Sequence, residues 1–189
     1  MRGNSPPRGH DNRVMLEPGS VVRSPRGTVV EILENSPERF RLRRTLPPHT
    51  GRTPSHRHTN GIERFLVVDG EVTGTAAGVT RALTAGETLD VPLGAPHVHP
   101  HTGPAATAVV EQTIEPRPRF VEVFFASWLT QLAQGRVDGQ DEPTLLAVMS
   151  VIRHGGGGTW VAGPPVAAQK ALAAVLAPVA AARGYGAVT

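Results

Sequence analysis

Cysteine is absent from the 189-residue chain. That excludes disulfides, thiolate metal sites and a cysteine nucleophile together, and leaves His and carboxylates as the available ligands. Lysine is almost absent too: eighteen of the nineteen cationic side chains are Arg, and Lys170 stands alone. Aromatic residues make up only 4%. The longest apolar run, Ala171–Ala182, is twelve residues interrupted by Pro178, too short to span a bilayer. Residues 1–20 are polar and rich in Pro and Gly, without the apolar stretch of a leader peptide. A soluble cytoplasmic protein with a disordered arm over 1–20 is expected, with no membrane partner.

The net charge of +3 does not make a nucleic-acid footprint. Residues 1–64 hold twelve Arg against six carboxylates, yet the densest group is only Arg39, Arg41, Arg43 and Arg44. That falls short of the basic block such a surface needs, and no nucleic-acid partner is expected. With 39% hydrophobic and 19% charged residues the balance is that of a globular domain. The texture of the chain divides it into a β-rich barrel over 21–116 and a helical extension over 117–189.

Between residues 27 and 114 short strand-like stretches follow one another at near-regular spacing. They cover 28–33, 39–46, 62–68, 71–75, 79–83, 87–91, 97–101 and 107–113, separated by Gly, Pro, Asp or Asn. This pattern predicts an antiparallel sandwich or barrel. Asp69-Gly70 is expected to be a hairpin turn, since glycine accepts the positive φ that such turns need.

After Pro116 the period changes. Phe120, Phe124, Trp128 and Leu132 recur every four residues, predicting an amphipathic helix over 119–134 that anchors the extension as core. A second helix is expected from Asp141-Glu142-Pro143 to about Ile152, with Asp141 as its cap. A third is expected over 165–183, kinked or divided at Pro178 and ended by Gly184. Gly155–Gly158 lacks the Lys-Ser/Thr of a phosphate loop and is expected to be a plain flexible loop.

Five of the eight histidines lie between residues 56 and 101. In extended backbone, side chains alternate with period two, so His56 and His58 share one face, and His97, His99 and His101 share another. Glu63 heads the apolar strand 64–68 and, facing inward, needs a partner. A divalent ion held by imidazoles would supply one. Strand parity puts Phe65 and Val67 beside Glu63, with Leu89 and Val91 also lining a mainly apolar interior. Either Glu111 or Gln112 faces inward as well; parity alone does not choose.

These residues resemble the cupin superfamily. Its first motif, Gly-x5-His-x-His-x(3,4)-Glu-x6-Gly, is met by Gly51, His56, His58, Glu63 and Gly70, with the first gap one residue short. Its second, Gly-x5-Pro-x-Gly-x2-His-x3-Asn, is met by Gly86, Pro92, Gly94 and His97, with His101 standing where Asn is usual. The resemblance covers about 28–113. It implies a mainly β, cupin-type antiparallel β-barrel (a jelly roll, or double-stranded β-helix) carrying a C-terminal α-helical extension. It also implies His56, His58, Glu63 and His97 as ligands of one divalent metal ion per chain: Fe, Mn, Ni, Cu or Zn. Arg57, between two ligands, should face away from the metal. Cupins are often dimers, so a homodimer is expected.

The reaction remains open at this stage, because one fold hosts many chemistries. The leading expectation is a metal-dependent enzyme acting on a small, largely apolar or aromatic substrate, a dioxygenase of the flavonol-cleaving type. Glu63 would then also accept a substrate proton, with His99 and His101 as further catalytic groups. The alternatives are a Lewis-acid isomerase, cyclase or lyase, and a ligand-binding cupin without catalysis.

Overall fold

The computed structural model of the chain describes residues 16–155 and 157–188. Ten strands precede or punctuate three helices: β1 Val21–Arg23, β2 Val29–Asn35, β3 Phe40–Leu46, β4 His56–His58, β5 Ile62–Ala76, β6 Val79–Thr84, β7 Thr88–Val91, β8 His97–His101, β9 Ala108–Glu115, α1 Phe120–Ala133, α2 Leu145–His154, β10 Thr159–Val161 and α3 Val166–Ala182. Pairing runs β1-β2-β3-β9-β5-β8-β4-β10, with β6 and β7 also on β5, and every pair is antiparallel. The first half of β5 pairs with β9 and β7, and its second half with β6 and β8. One long strand therefore passes from one face of the sandwich to the other, giving the mainly β, jelly-roll architecture expected.

The passage is made at Asp69-Gly70. No hairpin forms there; β5 continues, and its register against β9 shifts between Val67 and Asp69. Gly70 has φ 79°, and a Cβ on it would lie 2.3 Å from the Thr107 carbonyl oxygen. Glycine is needed, but for a bulge that bends a strand. The hairpin turn sits at Ala77-Gly78, where φ is positive at both residues (49° and 82°), as a two-residue turn of the right twist requires.

Alternation along β3 and β9 builds the interior: Phe40, Leu42, Arg44 and Leu46 on one, Ala108, Val110, Gln112 and Ile114 on the other are all buried. One apolar cluster, with Phe65, Val67, Leu83 and Val110 among its members, fills the barrel. A second joins Val30, Ile32, Phe40 and Ile114 to Phe125 and Leu129 of α1. Nine of the fourteen α1 residues are buried, so the helix is wrapped on most sides. The Arg group on and just before β3 is spent on ion pairs: Arg41 and Arg43 both reach Glu111, at 3.0 and 2.8 Å, and Arg39 pairs with Glu115.

Several boundaries differ from expectation. Residues 1–15 of the expected arm lie outside the described residues, but Leu16 is buried, and Gly19 and Ser20 hydrogen-bond to Ile32. Asp141 does not cap α2; Thr144 does, its hydroxyl accepting from the Ala147 N–H. Asp141 is buried instead and accepts from the Ser24 hydroxyl at 2.7 Å. Its neighbour Glu142 meets Arg44 at 2.5 Å. Arg44 in turn lies over the Trp128 ring at 4.7 Å, whose N–H donates to the Asp141 carbonyl. These contacts tie the α1–α2 loop to the barrel wall. Helix α3 runs undivided through Pro178. It ends at Gly184 (φ 79°) in a Schellman motif, with the Tyr185 and Gly184 N–H groups bonded to Ala180 and Ala181. Among the described residues no helix is long and apolar enough to cross a membrane.

Candidate metal centre

Two short segments and one long strand bring the site together. His56 of β4 stands opposite His97 of β8, while Glu63 lies on the inward face of β5 with Phe65 and Val67. His97 and Glu63 are fully buried, and His58 and His99 nearly so. One donor atom from each of His56, His58, Glu63, His97 and His99 falls within 4.8 Å of all the others. Glu63 Oε2 is 2.7 Å from His97 Nε2, 3.5 Å from His58 Nε2 and 3.6 Å from His99 Nε2.

The orientation of the rings indicates what these atoms face. His56 Nδ1 is held by the Pro54 carbonyl at 2.9 Å, His58 Nδ1 by the Thr159 hydroxyl at 2.9 Å, and His97 Nδ1 by the Ala95 carbonyl at 3.2 Å. Fixing Nδ1 leaves Nε2 as the free donor and sets the ring direction, the usual support of a metal-ligating imidazole. His58 Nε2, His97 Nε2 and Glu63 Oε2 are nevertheless buried without a hydrogen-bond partner. They approach one another closely but are not aligned to bond, so they converge on a common point. A void of about 30 Å³, lined by His56, His58, Glu63, His99 and Gln112 among others but not by His97, lies beside the cluster. Orphaned buried donors so close together are costly alone and fit a divalent cation.

Electrostatics agree with that arrangement. Burial pushes the Glu63 carboxyl up, but the imidazoles of His99 and His58 outweigh it and hold the group well below the usual carboxylate range. Burial, reinforced by the neighbouring rings, holds His56 well below the usual histidine range, and burial lowers His99 to about 4. His97 goes the other way, because Glu63 outweighs burial. Glu63 held anionic, with His56 and His99 held neutral, is the state in which such groups bind metal.

The undecided inward residue is Gln112. It is buried and donates from Nε2 to Glu63 Oε1 at 2.5 Å, leaving Oε2 to the cluster; Glu111 faces the Arg ladder. His101 does not join the group. The β5–β8 register shifts between Thr73 and Thr75, so His99 and Pro100 together oppose Gly74, and His101 falls opposite Thr73. The extra residue reverses the parity, and His101 is left half-buried with Nδ1 on the His99 carbonyl. Arg57 is half-buried opposite Trp160.

Two contacts escaped the sequence. Phe120, the first residue of α1, stacks on His58 with ring centres 5.0 Å apart. Thr159 reaches His58 because β10 pairs with β4, Thr159 against His58 and Val161 against His56. A three-residue strand carries too little pattern to be read, so nothing in the sequence signalled either contact. The extension therefore supplies walls to the site. A second cavity, of about 70 Å³, opens from His56 and His99 and is lined by Phe124 of α1, Val148 and Ile152 of α2, and Val161 of β10.

Residues 42–111 match the family model of the cupin domain. A search of curated proteins gives no match. Among solved structures, an RmlC-like cupin from Shewanella frigidimarina is 20% identical, with a TM-score of 0.45 over 52% of this chain and 85% of that one. KdgF from a Halomonas species is 18% identical, with a TM-score of 0.45 over 52% and 86%. The polyketide cyclase RemF from Streptomyces resistomycificus is 22% identical, with a TM-score of 0.42 over 60% and 81%. These likenesses say nothing about chemistry. The two sequence motifs, the matched segment and the jelly-roll topology around the histidine cluster agree, and residues 42–111 belong to the cupin superfamily.

Proposed function

We propose that the chain is a metal-dependent enzyme acting on a small, largely apolar or aromatic organic molecule. The observation that carries this reading is the adjacency of the two voids: a donor cluster and an apolar chamber share His56 and His99. A ligand in the chamber meets hydrocarbon from Phe124, Val148 and Ile152 on one side and imidazoles on the other, the composition of a pocket that binds by shape and orients by a few polar groups. At about 70 Å³ it is smaller than the roughly 150 Å³ that encloses a benzene ring. A ligand therefore enters by one edge, and small molecules are favoured over large polycyclic ones.

His56, His58, Glu63 and His97 would hold the ion, as the cupin resemblance implies. A bound divalent ion would supply Lewis acidity, and a redox-active one also electron transfer. Gln112 holds Glu63 Oε1 and so aims Oε2 at the cluster, while the Phe120 and Phe124 rings exclude water from it. Two chemistries follow from this arrangement. Oxygen-dependent cleavage of the flavonol type would use a redox-active ion and dioxygen; Lewis-acid isomerisation, cyclisation or elimination would use the ion's charge alone.

The test is turnover of a panel of small aromatic and apolar carbonyl compounds by metal-loaded protein, read by mass spectrometry beside an oxygen electrode. Substrate loss that disappears in His97→Ala and in Val148→Trp, which fills the chamber, is expected. No turnover and no binding of any such compound would overturn the proposal, and oxygen uptake separates the two chemistries.

A further inference from the structure

His99 stands apart from its neighbours in the cluster. Each of His56, His58 and His97 has one ring nitrogen anchored on an oxygen. Neither nitrogen of His99 makes a hydrogen bond, Nε2 lying 3.6 Å from Glu63 Oε2, though the residue is only 5% exposed and both atoms are buried. An imidazole always carries a lone pair or a proton on each nitrogen, so two orphaned positions in one buried ring cost more than one. The ring packs near-parallel to His97 at 5.6 Å between centres and against Phe65 at 4.9 Å. Below it, the Thr53 hydroxyl accepts from the His99 backbone N–H and fixes the strand. Ordinary alternation along β8 puts His99 on the inward face beside His97, and the register shift beyond it turns only His101 away.

We propose that His99 is a fifth protein donor to the ion the cluster holds, leaving a single position for substrate. This rests on the metal-site reading above and deepens it. The donor atoms of all five residues already lie within 4.8 Å of one another. Glu63 contributes one oxygen only, since Gln112 occupies Oε1. On an ion that takes six ligands, four imidazole nitrogens and one carboxylate oxygen would fill five places. The remaining place admits one substrate atom, such as a carbonyl or phenolate oxygen, and no second ligand beside it. The substrate class is therefore a monodentate oxygen ligand with an apolar body.

The experiment loads the full-length protein with cobalt(II). It counts coordinated imidazoles by X-ray absorption and measures affinity by chelator competition, in wild type and in His99→Ala and His99→Gln. Four imidazoles in wild type, three in the variants, and affinity weaker by about 10-fold or more are expected. Three imidazoles in every protein, with unchanged affinity, would overturn the role of His99 while leaving the metal site intact. No cobalt uptake by wild type would overturn both. Should the variants fail to fold, the wild-type count decides alone.

Discussion

Phe125 is the strongest test of whether the helical extension and the barrel form one folding unit. It lies on α1, is 2% exposed, and packs its ring 4.6 Å from that of Phe40 on β3 and 5.9 Å from Trp128. Replacing it with alanine removes a full aromatic side chain from a site walled by two elements and leaves a cavity. The expected cost is about 3–5 kcal/mol, a large part of the roughly 5–15 kcal/mol available to a domain. At about 2–4 °C per kcal/mol for a chain of this size, the midpoint should fall by roughly 6–20 °C. Phe40→Ala should cost a similar amount, and the double variant less than the sum, with a coupling of about 0.5–1.5 kcal/mol from the ring pair. Both tryptophans, Trp128 and Trp160, belong to the extension, so fluorescence reports it, while far-ultraviolet dichroism also reports the barrel. Urea titration should give coincident transitions from the two probes in every variant. Separate transitions, with the dichroism midpoint unmoved by Phe125→Ala, would refute the reasoning.

Three further outcomes are expected. Gly70→Ala should destabilise the protein by about 1–3 kcal/mol through strained backbone alone, and by more through its clash with the Thr107 carbonyl; a chemical-denaturation midpoint unchanged within error would contradict the bulge. Gln112→Leu strips Glu63 Oε1 of its donor and should weaken metal binding about 10–100-fold, seen by chelator competition, with affinity unchanged as the contrary result. Burial raises Glu142 to about 7 despite Arg44. A carboxyl whose folded pKa is raised gives a contribution present in full below its unfolded value near 4.5 and lost as pH climbs through about 7. The Glu142 contribution should therefore decline between about pH 5 and 8, so wild type should lose more stability with rising pH than Glu142→Gln in thermal melts taken across the range, and parallel slopes would contradict it.

What could be read from the sequence follows where one residue's pattern decides. Period-two alternation put Glu63, Phe65 and Val67 on one face, and the motif spacings grouped His56, His58, Glu63 and His97, all of which the fold brings together. Period-four aromatics located α1 to within a residue at each end. Parity failed wherever a strand gains a residue. The bulge opposite Gly74 separated His101 from His99, and the one at Val67–Asp69 turned an expected hairpin at Gly70 into a bend. Asp141 and Glu142 carry the composition of a helix start, but tertiary partners, Ser24 and Arg44, claim them. The closure of the site by Phe120 and Thr159 depends on contacts across 60–100 residues, which no local pattern encodes.

The central claim is that the cluster holds a metal, and metal content tests it most directly. Elemental mass spectrometry of purified wild type should find about one divalent ion per chain, with content falling sharply in both His56→Ala and His97→Ala. No ion in wild type, even after reconstitution with iron, manganese, nickel, copper and zinc in turn, would contradict the account.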